Sequence, residues 1–216
     1  MRIHALIPVK DLARTKSRLT PPFTEDERAA LTLDMLRHVI VAAHESGVLA
    51  RMTVISPDPA VLALAQEKGA SALPQRTTGL NPALDEGRAD AIARGAEAVL
   101  ILPADLPQLQ PGEIVGLIAA LPPPPAVVIA PDYTGHGTNA LLVAPPDALP
   151  FLFGVGSFAL HVAAADARGV SYAIVRAPGI AGDVDTPDDV RERVGSAKMG
   201  MNHRGTECTE EIRGEH

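Results

Sequence analysis

Residues 99–107 read VLILPADLP, four apolar residues followed by a single acid, Asp105, held between two prolines. A short apolar run bounded by turn-forming residues predicts a strand that is buried on both faces. An ionised carboxylate is costly to bury, so the acid at the end of this strand needs a partner, a metal or water. The stretch therefore predicts a strand of a covered sheet with a carboxylate at its exit, and the rest of the chain must show what that carboxylate meets.

Helical and extended patterns alternate on both sides of this strand. Strands are predicted for residues 3–9, 51–56, 70–75, 126–131, 138–146 and 170–178. Helices are predicted for residues 24–47, 58–69, 82–95, 111–121, 157–169 and 186–195. Short buried strands that alternate with helices indicate an α/β fold, with a mainly parallel sheet and helices on both faces. We expect one domain over residues 1–194 and a polar tail, 195–216, that is disordered or peripheral.

Composition narrows the function classes. A net charge of −7 argues against a nucleic-acid binder whose affinity rests on neutralising phosphates. The 216 residues contain one cysteine, Cys208, which excludes an internal disulfide and fits a reducing compartment. No run approaches the roughly 18 apolar residues of a membrane span, and no signal core precedes the first strand. We therefore expect a soluble cytoplasmic protein without a membrane or nucleic-acid partner.

The loop after the first strand, PVKDLARTKSRL (residues 8–19), concentrates positive charge. Lys10, Arg14, Lys16 and Arg18 lie within a span of nine residues, although the chain as a whole is acidic. One interpretation is a solvated basic turn; the other is a cradle for a polyphosphate and its leaving group. Neither GxGxxG nor GxxxxGK[ST] occurs here, which disfavours the common dinucleotide and P-loop mechanisms.

A second stretch, GDVDTPDDV (residues 182–190), combines helix-cap chemistry with spare acids. Thr186 and the residues after it are accounted for as the start of a helix. Asp183 and Asp185 are not, and alternation along an extended chain directs them to one side. Together with Asp105 they form an oxygen-rich set suited to Mg²⁺, which favours carboxylates together with substrate phosphates.

A third region, GHGTNALLVAPP followed by FLFGVGSFALH, has the composition of an anion site. Thr138 and Asn139 supply donors and acceptors, and Gly154 precedes Ser157 at a predicted helix start. An ordinary N-cap accounts for Ser157 equally well, and the two roles are compatible. His161 lies one turn into this helix; without a GxSxG elbow or metal-ligand spacing, neither a hydrolase triad nor a zinc site is indicated.

These motifs together resemble one family. PVKDLARTKSRL, GLNPAL, LPADLP, GHGTNALL, FGVGSFALH and DVDTPDDV are similar, in order, to the CofC/FbiD guanylyltransferases of deazaflavin coenzyme F-420 biosynthesis. The similarity runs from residue 1 to about residue 194. Thr15 stands where the family often has a small Ala, and the tail matches no pattern.

The resemblance implies a Rossmann-like, single-domain nucleotide-diphospho-sugar transferase fold and a defined reaction. GTP and a phosphorylated three-carbon acid would give a guanylylated acid and pyrophosphate. The acid would be phosphoenolpyruvate, 2-phospho-L-lactate or 3-phospho-D-glycerate, and the product would pass to a downstream transferase. The choice of acid and the oligomeric state, a homodimer included, stay open.

Site roles carry over by position. Thr138, Gly154 and Ser157 would hold the acid, and Asn81 in the GLN turn would lie near the base. Asp105 and Asp185 would hold Mg²⁺, with Asp183 as the other candidate. The implied nucleotide-binding residues are Lys10, Arg14, Lys16 and Arg18, of which Lys10, Lys16 and Arg18 act in catalysis with Asp105.

Two other functions are weighed against this one. One is a nucleotidyltransferase of the same fold with a molybdopterin or sugar-phosphate acceptor, although such relatives usually carry a glycine-rich first loop. The other is a non-catalytic nucleotide-binding module, which would bind nucleotide without turnover.

Overall fold

The computed structural model describes residues 1–194, apart from the side chain of Arg18. Its strands are β1 (Ile3–Pro8), β2 (Arg51–Ser56), β3 (Ser71–Pro74), β4 (Ala98–Ile101), β5 (Ala126–Pro131), β6 (Thr138–Ala144) and β7 (Ser171–Ile174). Its α-helices are α1 (Glu25–Glu45), α2 (Pro59–Glu67), α3 (Leu80–Ala93), α4 (Pro111–Ala119), α5 (Ser157–Arg168), α6 (Pro178–Ala181) and α7 (Pro187–Asp189). The predicted tail, residues 195–216, lies outside the described residues.

The strands form one seven-stranded sheet in the order β3-β2-β1-β4-β6-β5-β7. All neighbouring strands are parallel except at β6, which runs antiparallel to β4 and to β5. The prediction of a mainly parallel sheet is confirmed. The direction of β6 follows from its short connection to β5, since a parallel neighbour needs a longer crossover.

Strand β4 is buried on both faces, as its apolar run predicts. Leu100 packs into one core, with α1, α2 and α4, whereas Val99 and Ile101 pack into the other, with α3 and α5. A β-carbon on Gly87 of α3 would lie 2.4 Å from Ile55 Cδ1, so this glycine lets α3 pack closely on the sheet. Helices therefore cover both faces, as expected.

Two helices show the clearest differences from their predicted bounds. Helix α3 begins at Leu80 rather than at Pro82, because Gly79 takes a φ of +105° and turns the chain into the helix earlier. Pro82 then lies in the first turn, where its missing N–H is not needed. The helix predicted from residue 186 is α7 followed by a wider π-helical turn, Val190–Val194, although Thr186 caps it as predicted.

The parallel strands bring several loops to one edge of the sheet. The loops after β1, β2, β3 and β4 all leave from the strands' carboxyl ends, where ligands bind in sheets of this kind. The N–H of Val184 donates to the carbonyl of Asp105 at 3.2 Å. This hydrogen bond brings the segment with Asp183 and Asp185 to the exit of β4.

No helix among the described residues is both long enough and apolar enough to cross a bilayer.

Candidate active site

The basic loop after β1 is held in place by its neighbours. Two short 3₁₀ turns, Leu12–Arg14 and Ser17–Leu19, shape it. Asp58 accepts a hydrogen bond from the Leu12 N–H at 3.1 Å, and Arg28 of α1 donates to the carbonyl of Thr15 at 3.3 Å. The loop is therefore an ordered part of the sheet edge.

Lys16 makes the central contacts at this end of the sheet. Its Nζ donates to a carboxylate oxygen of Asp105 and, at 3.2 Å, to one of Asp185. Only 8% of the Lys16 side chain is exposed. Burial alone would lower the pKa of Lys16, but the two carboxylates, Asp105 foremost, outweigh it and raise that pKa. Lys16 is therefore a charged ammonium that balances two acids.

Asp183 lies close to these acids but has a different partner. Its Oδ1 accepts a hydrogen bond from Asn139 Nδ2 at 3.0 Å. Burial raises the pKa of Asp183, and the negative charges of Asp105 and Asp185 raise it further. The sequence-predicted acids thus come together at one place, with Asp105 and Asp185 on Lys16 and Asp183 on Asn139.

The acids fit a divalent cation by their chemistry. Asp105 and Asp185 direct carboxylate oxygens at one cationic atom, Lys16 Nζ, and such oxygens are the ligands that Mg²⁺ prefers. Within residues 1–194 no group of three or more acids, histidines or cysteines is arranged as a metal site. Substrate phosphates would have to complete the coordination of an ion held here.

A cavity of about 630 Å³ opens beside this cluster. It runs along the carboxyl ends of β3, β2, β1 and β4. Because neighbouring strands are about 4.8 Å apart, the row of four strand ends is about 14 Å long. Its volume lies within the usual range for small-molecule sites. Its lining comprises residues 8–11, 14–16, 77–80 and 103–105, with Thr32, Pro57, Gln75, Ala83 and Asp185.

Three of the four predicted basic residues line this cavity, namely Lys10, Arg14 and Lys16. The side chain of the fourth, Arg18, lies outside the described part of the chain. Asn81 directly follows the lining residues 77–80, but its amide bonds to a neighbouring loop. Its Nδ2 donates to the carbonyl of Phe153 at 3.1 Å, and its Oδ1 accepts the Phe153 N–H at 2.9 Å. Asn81 therefore ties the start of α3 to the loop before α5.

A second cluster lies at the start of β6 and α5. The N–H of Thr138 donates to Ser157 Oγ at 2.9 Å, and Thr138 Oγ1 lies 3.0 Å from His161 Nδ1. Gly154 precedes Ser157 with a φ of +133°, a conformation that favours glycine. Thr138 and Ser157 are thus brought into contact, and the chain turns at Gly154 shortly before α5.

Asn139 connects the two clusters. It follows Thr138 on β6, and alternation along the strand sends its side chain to the opposite side. There its Nδ2 donates to Asp183 and to the carbonyl of Ile180 at 2.9 Å. The sequence indicated Asn139 only as a general hydrogen-bonding residue. Because side chains alternate along a strand, its position directly after Thr138 could have predicted that the two side chains face opposite sides of the sheet.

His161 is the residue whose place the sequence did not indicate. It is fully buried, and its Nε2 accepts the Leu152 N–H at 3.1 Å while Nδ1 faces Thr138. Burial lowers the pKa of His161 to about 4. A single histidine in a helix carries no sequence signal for this environment.

The family model for CofC-like guanylyl transferases matches residues 3–203. The chain belongs to the CofC family. A phosphoenolpyruvate guanylyltransferase of Rubrobacter xylanophilus is 48% identical over 204 residues, 94% of this chain and 98% of the relative. Its counterpart in Sphaerobacter thermophilus is 44% identical, with 94% and 97% covered. A 3-phospho-D-glycerate guanylyltransferase of Colwellia psychrerythraea is 32% identical, with 88% and 90% covered.

Solved structures agree on the fold of this CofC family member. A protein from Desulfovibrio desulfuricans, assigned to the nucleotide-diphospho-sugar transferases, superposes with a TM-score of 0.70 at 15% identity, with 94% and 96% of the two chains covered. A nucleotidyl transferase from Methanothermobacter gives 0.65 at 16% identity, with 92% and 99% covered. The predicted fold is confirmed, and the protein is a nucleotidyltransferase of the guanylyltransferase type.

Proposed function

We propose that this protein transfers the guanylyl group of GTP to phosphoenolpyruvate and releases pyrophosphate. The observation that carries the proposal is the cavity at the strand ends, where Lys16 joins Asp105 and Asp185 beside Lys10 and Arg14. Relatives that are 44–48% identical and named phosphoenolpyruvate guanylyltransferase support the choice of acid.

The proposed chemistry needs no general base. A phosphate oxygen of the acid attacks the α-phosphorus of GTP, the bond from that phosphorus to the β-phosphate oxygen breaks, and pyrophosphate leaves. A phosphate monoester has a second pKa of about 6, so the attacking oxygen is already ionised near neutrality. The protein must position two anions and neutralise their charge.

The basic loop suits the nucleotide. Lys10, Arg14 and Lys16, with Arg18 as the fourth candidate, offset the charge of the triphosphate and of the departing pyrophosphate. Lys10, Lys16 and Arg18 are the proposed catalytic cations because charge on the leaving group grows as the bond breaks.

Asp105 and Asp185 are the proposed ligands of Mg²⁺. When bound, the ion would neutralise phosphate charge and help to align the reacting groups. A glucosyl-3-phosphoglycerate synthase of the same fold from Mycobacterium tuberculosis was solved with Mg²⁺ and UDP (TM-score 0.59, 15% identity, 81% of this chain and 69% of that one). Asp183, bonded to Asn139, is proposed as a supporting charge rather than as the main ligand.

The acid is proposed to bind at Thr138, Gly154 and Ser157, which lie together at the start of β6 and α5. Asn81, at the start of α3, is proposed to shape the base end of the nucleotide site through Phe153. Asn139 joins the acid site to the carboxylate cluster, because it follows Thr138 in the chain and its amide donates to Asp183.

A different phosphorylated acid is the second candidate acceptor. The Colwellia relative named for 3-phospho-D-glycerate keeps this alternative open, and 2-phospho-L-lactate shares the same phosphate and carboxylate chemistry. In each case the product is a diphosphate that links guanosine to the acid, and a following transferase must consume it. We place the reaction in the cytoplasm, where GTP is available, within coenzyme F-420 biosynthesis.

The deciding experiment incubates the full chain with GTP, Mg²⁺ and each of the three acids in turn, and follows pyrophosphate release. We expect the fastest release with phosphoenolpyruvate and GTP, and little with ATP, CTP or a sugar phosphate. Faster turnover with another acid would overturn the proposed acceptor. Turnover only with a sugar phosphate or a molybdopterin would overturn the proposed reaction.

A further inference from the structure

His161 lies on the buried side of α5, where it contacts the loop before this helix and the first residue of β6. No part of the residue is exposed, and the Phe153 ring meets the imidazole edge to face with 5.0 Å between centroids. Both ring nitrogens lie within hydrogen-bond distance of a polar atom, the Leu152 N–H and Thr138 Oγ1. The imidazole therefore connects the loop before α5 to the hydroxyl of Thr138.

The hydrogen bond from Leu152 decides the tautomer. A backbone N–H can only donate, so His161 Nε2 must accept and carry no proton. Burial without a counter-charge keeps the ring neutral at physiological pH. The one ring proton then lies on Nδ1, which donates to Thr138 Oγ1 at 3.0 Å.

The direction of this bond decides what Thr138 can offer. Since Oγ1 accepts from His161, its own hydrogen points elsewhere, and no acceptor for it is found among the described residues. Ser157 Oγ, which accepts the Thr138 N–H, is in the same position. Thr138 and Ser157 are 8% and 2% exposed, so two nearly buried hydroxyls each keep a hydrogen for an incoming acceptor.

We propose that His161 is a positioning residue whose Nδ1–H fixes the Thr138 hydroxyl as a donor toward an anionic oxygen of the acid substrate. The inference rests on the proposed binding of the acid at Thr138 and Ser157. With the proton on Nε2 instead, the ring would oppose the Leu152 N–H, and Nδ1 would consume the Thr138 hydrogen. The tautomer therefore favours an acceptor such as a carboxylate or phosphate over a ligand hydroxyl that must donate.

Two matched variants separate this role from a structural one. In His161→Asn the amide NH₂ can occupy the place of Nδ1–H and donate to Thr138, but nothing accepts from Leu152. In His161→Gln the longer side chain can accept from Leu152 but leaves Thr138 without its donor. We expect His161→Gln to raise the KM for the acid roughly tenfold, the effect of one hydrogen bond, while the KM for GTP stays unchanged.

His161→Asn should keep the acid KM closer to that of the wild type, even where its melting temperature is lower. In the Thr138→Val background, His161→Gln should add almost nothing to the acid KM, because the two changes remove the same interaction. If Gln preserves the acid KM and Asn raises it, or if the effects of His161→Gln and Thr138→Val are fully additive, the positioning role is wrong.

Nitrogen NMR of the wild-type ring provides a readout without turnover. We expect a protonated Nδ1 and an unprotonated Nε2 near neutral pH; a protonated Nε2 would overturn the inference. The wild-type pyrophosphate assay distinguishes the two levels of failure. Without turnover on any acid, the proposed function and the role of His161 in it both fall, whereas turnover with an Nε2–H ring removes only the latter.

Discussion

The two ends of the candidate site use opposite physical means. At the exit of β4, Lys16 lies between Asp105 and Asp185, and full charges balance one another. At the start of β6, Thr138 and Ser157 are neutral and are oriented by hydrogen bonds from groups that are themselves buried. We propose that the first end binds a highly charged triphosphate with its metal and that the second makes directional contacts with a small acid.

This contrast predicts that changes at the charged end slow the reaction and that changes at the neutral end act on binding or on folding. A charge that neutralises the leaving group matters most in the transition state. A hydroxyl donor that touches the bound acid matters already in the ground state. Three substitutions and one change of pH test the contrast.

The largest effect is expected for Asp105→Asn. The change preserves the shape of the side chain but removes the carboxylate proposed to hold Mg²⁺. We therefore expect kcat to fall by about 10²- to 10³-fold. Pyrophosphate release measures the loss, and circular dichroism checks the fold. Asp188→Asn, at an exposed acid of α7 paired with Arg191, is the matched control and should be silent. An unimpaired Asp105→Asn enzyme would refute the metal assignment.

Lys16→Ala is expected to come next. It removes the cation proposed for the GTP phosphates, so kcat/KM for GTP should fall roughly 10- to 100-fold, the range of one charge-assisted hydrogen bond. The KM for the acid should change far less. Lys68→Ala, at the end of α2 beside Glu67, is the control. Equal activity with and without Lys16 would make the loop a solvated basic turn.

The pH dependence of folding tests the neutral end. His161 takes up a proton near pH 6.5 when unfolded but only near pH 4 when folded, because burial disfavours the charged ring. Its contribution to stability is therefore complete above about pH 6.5 and declines as the pH falls toward 4. Between pH 7 and 4.5 the loss is about 2 kcal/mol. Urea unfolding at both pH values measures it, and His161→Asn should show a correspondingly smaller decline.

Asn81→Ala is expected to have the smallest effect. Two hydrogen bonds to the backbone of Phe153 are lost, at a cost of about 1–2 kcal/mol in unfolding free energy. Urea unfolding measures the change, with Asp85→Ala on the exposed side of α3 as the control. If the KM for GTP rose strongly with stability unchanged, Asn81 would contact the nucleotide directly instead of shaping its site.

Much of the fold could be predicted because its signals are local. The apolar run before Asp105 predicted a strand buried on both faces, and the helix predicted for residues 24–47 is α1, whose start is stabilised by a capping box of Thr24 and Glu27. The earlier start of α3 could not be predicted in the same way, since it depends on the conformation of Gly79. The antiparallel direction of β6 also had no signal in its own residues.

In the candidate site, too, only the features with a local signal could be predicted from the sequence. Asp105, Lys16 and Thr138 could be selected because an acid, a cluster of cations and a glycine-flanked polar pair are unusual in their surroundings. Their partners could not be selected. His161 acquires its orientation from Leu152, nine residues away, and Asn139 meets Asp183 across 44 positions of sequence.

The sequence by itself determined the alternation of strands and helices, the loops that carry charge and the family to which the chain belongs. These features follow from hydrophobic periodicity, capping residues and motifs that lie within a few positions of one another. Only the tertiary structure decided that Lys16 balances both Asp105 and Asp185 and which nitrogen of His161 carries the proton. Both depend on contacts between segments that are distant in the sequence, because the protonation of a buried group is set by its burial and by the groups that pack against it.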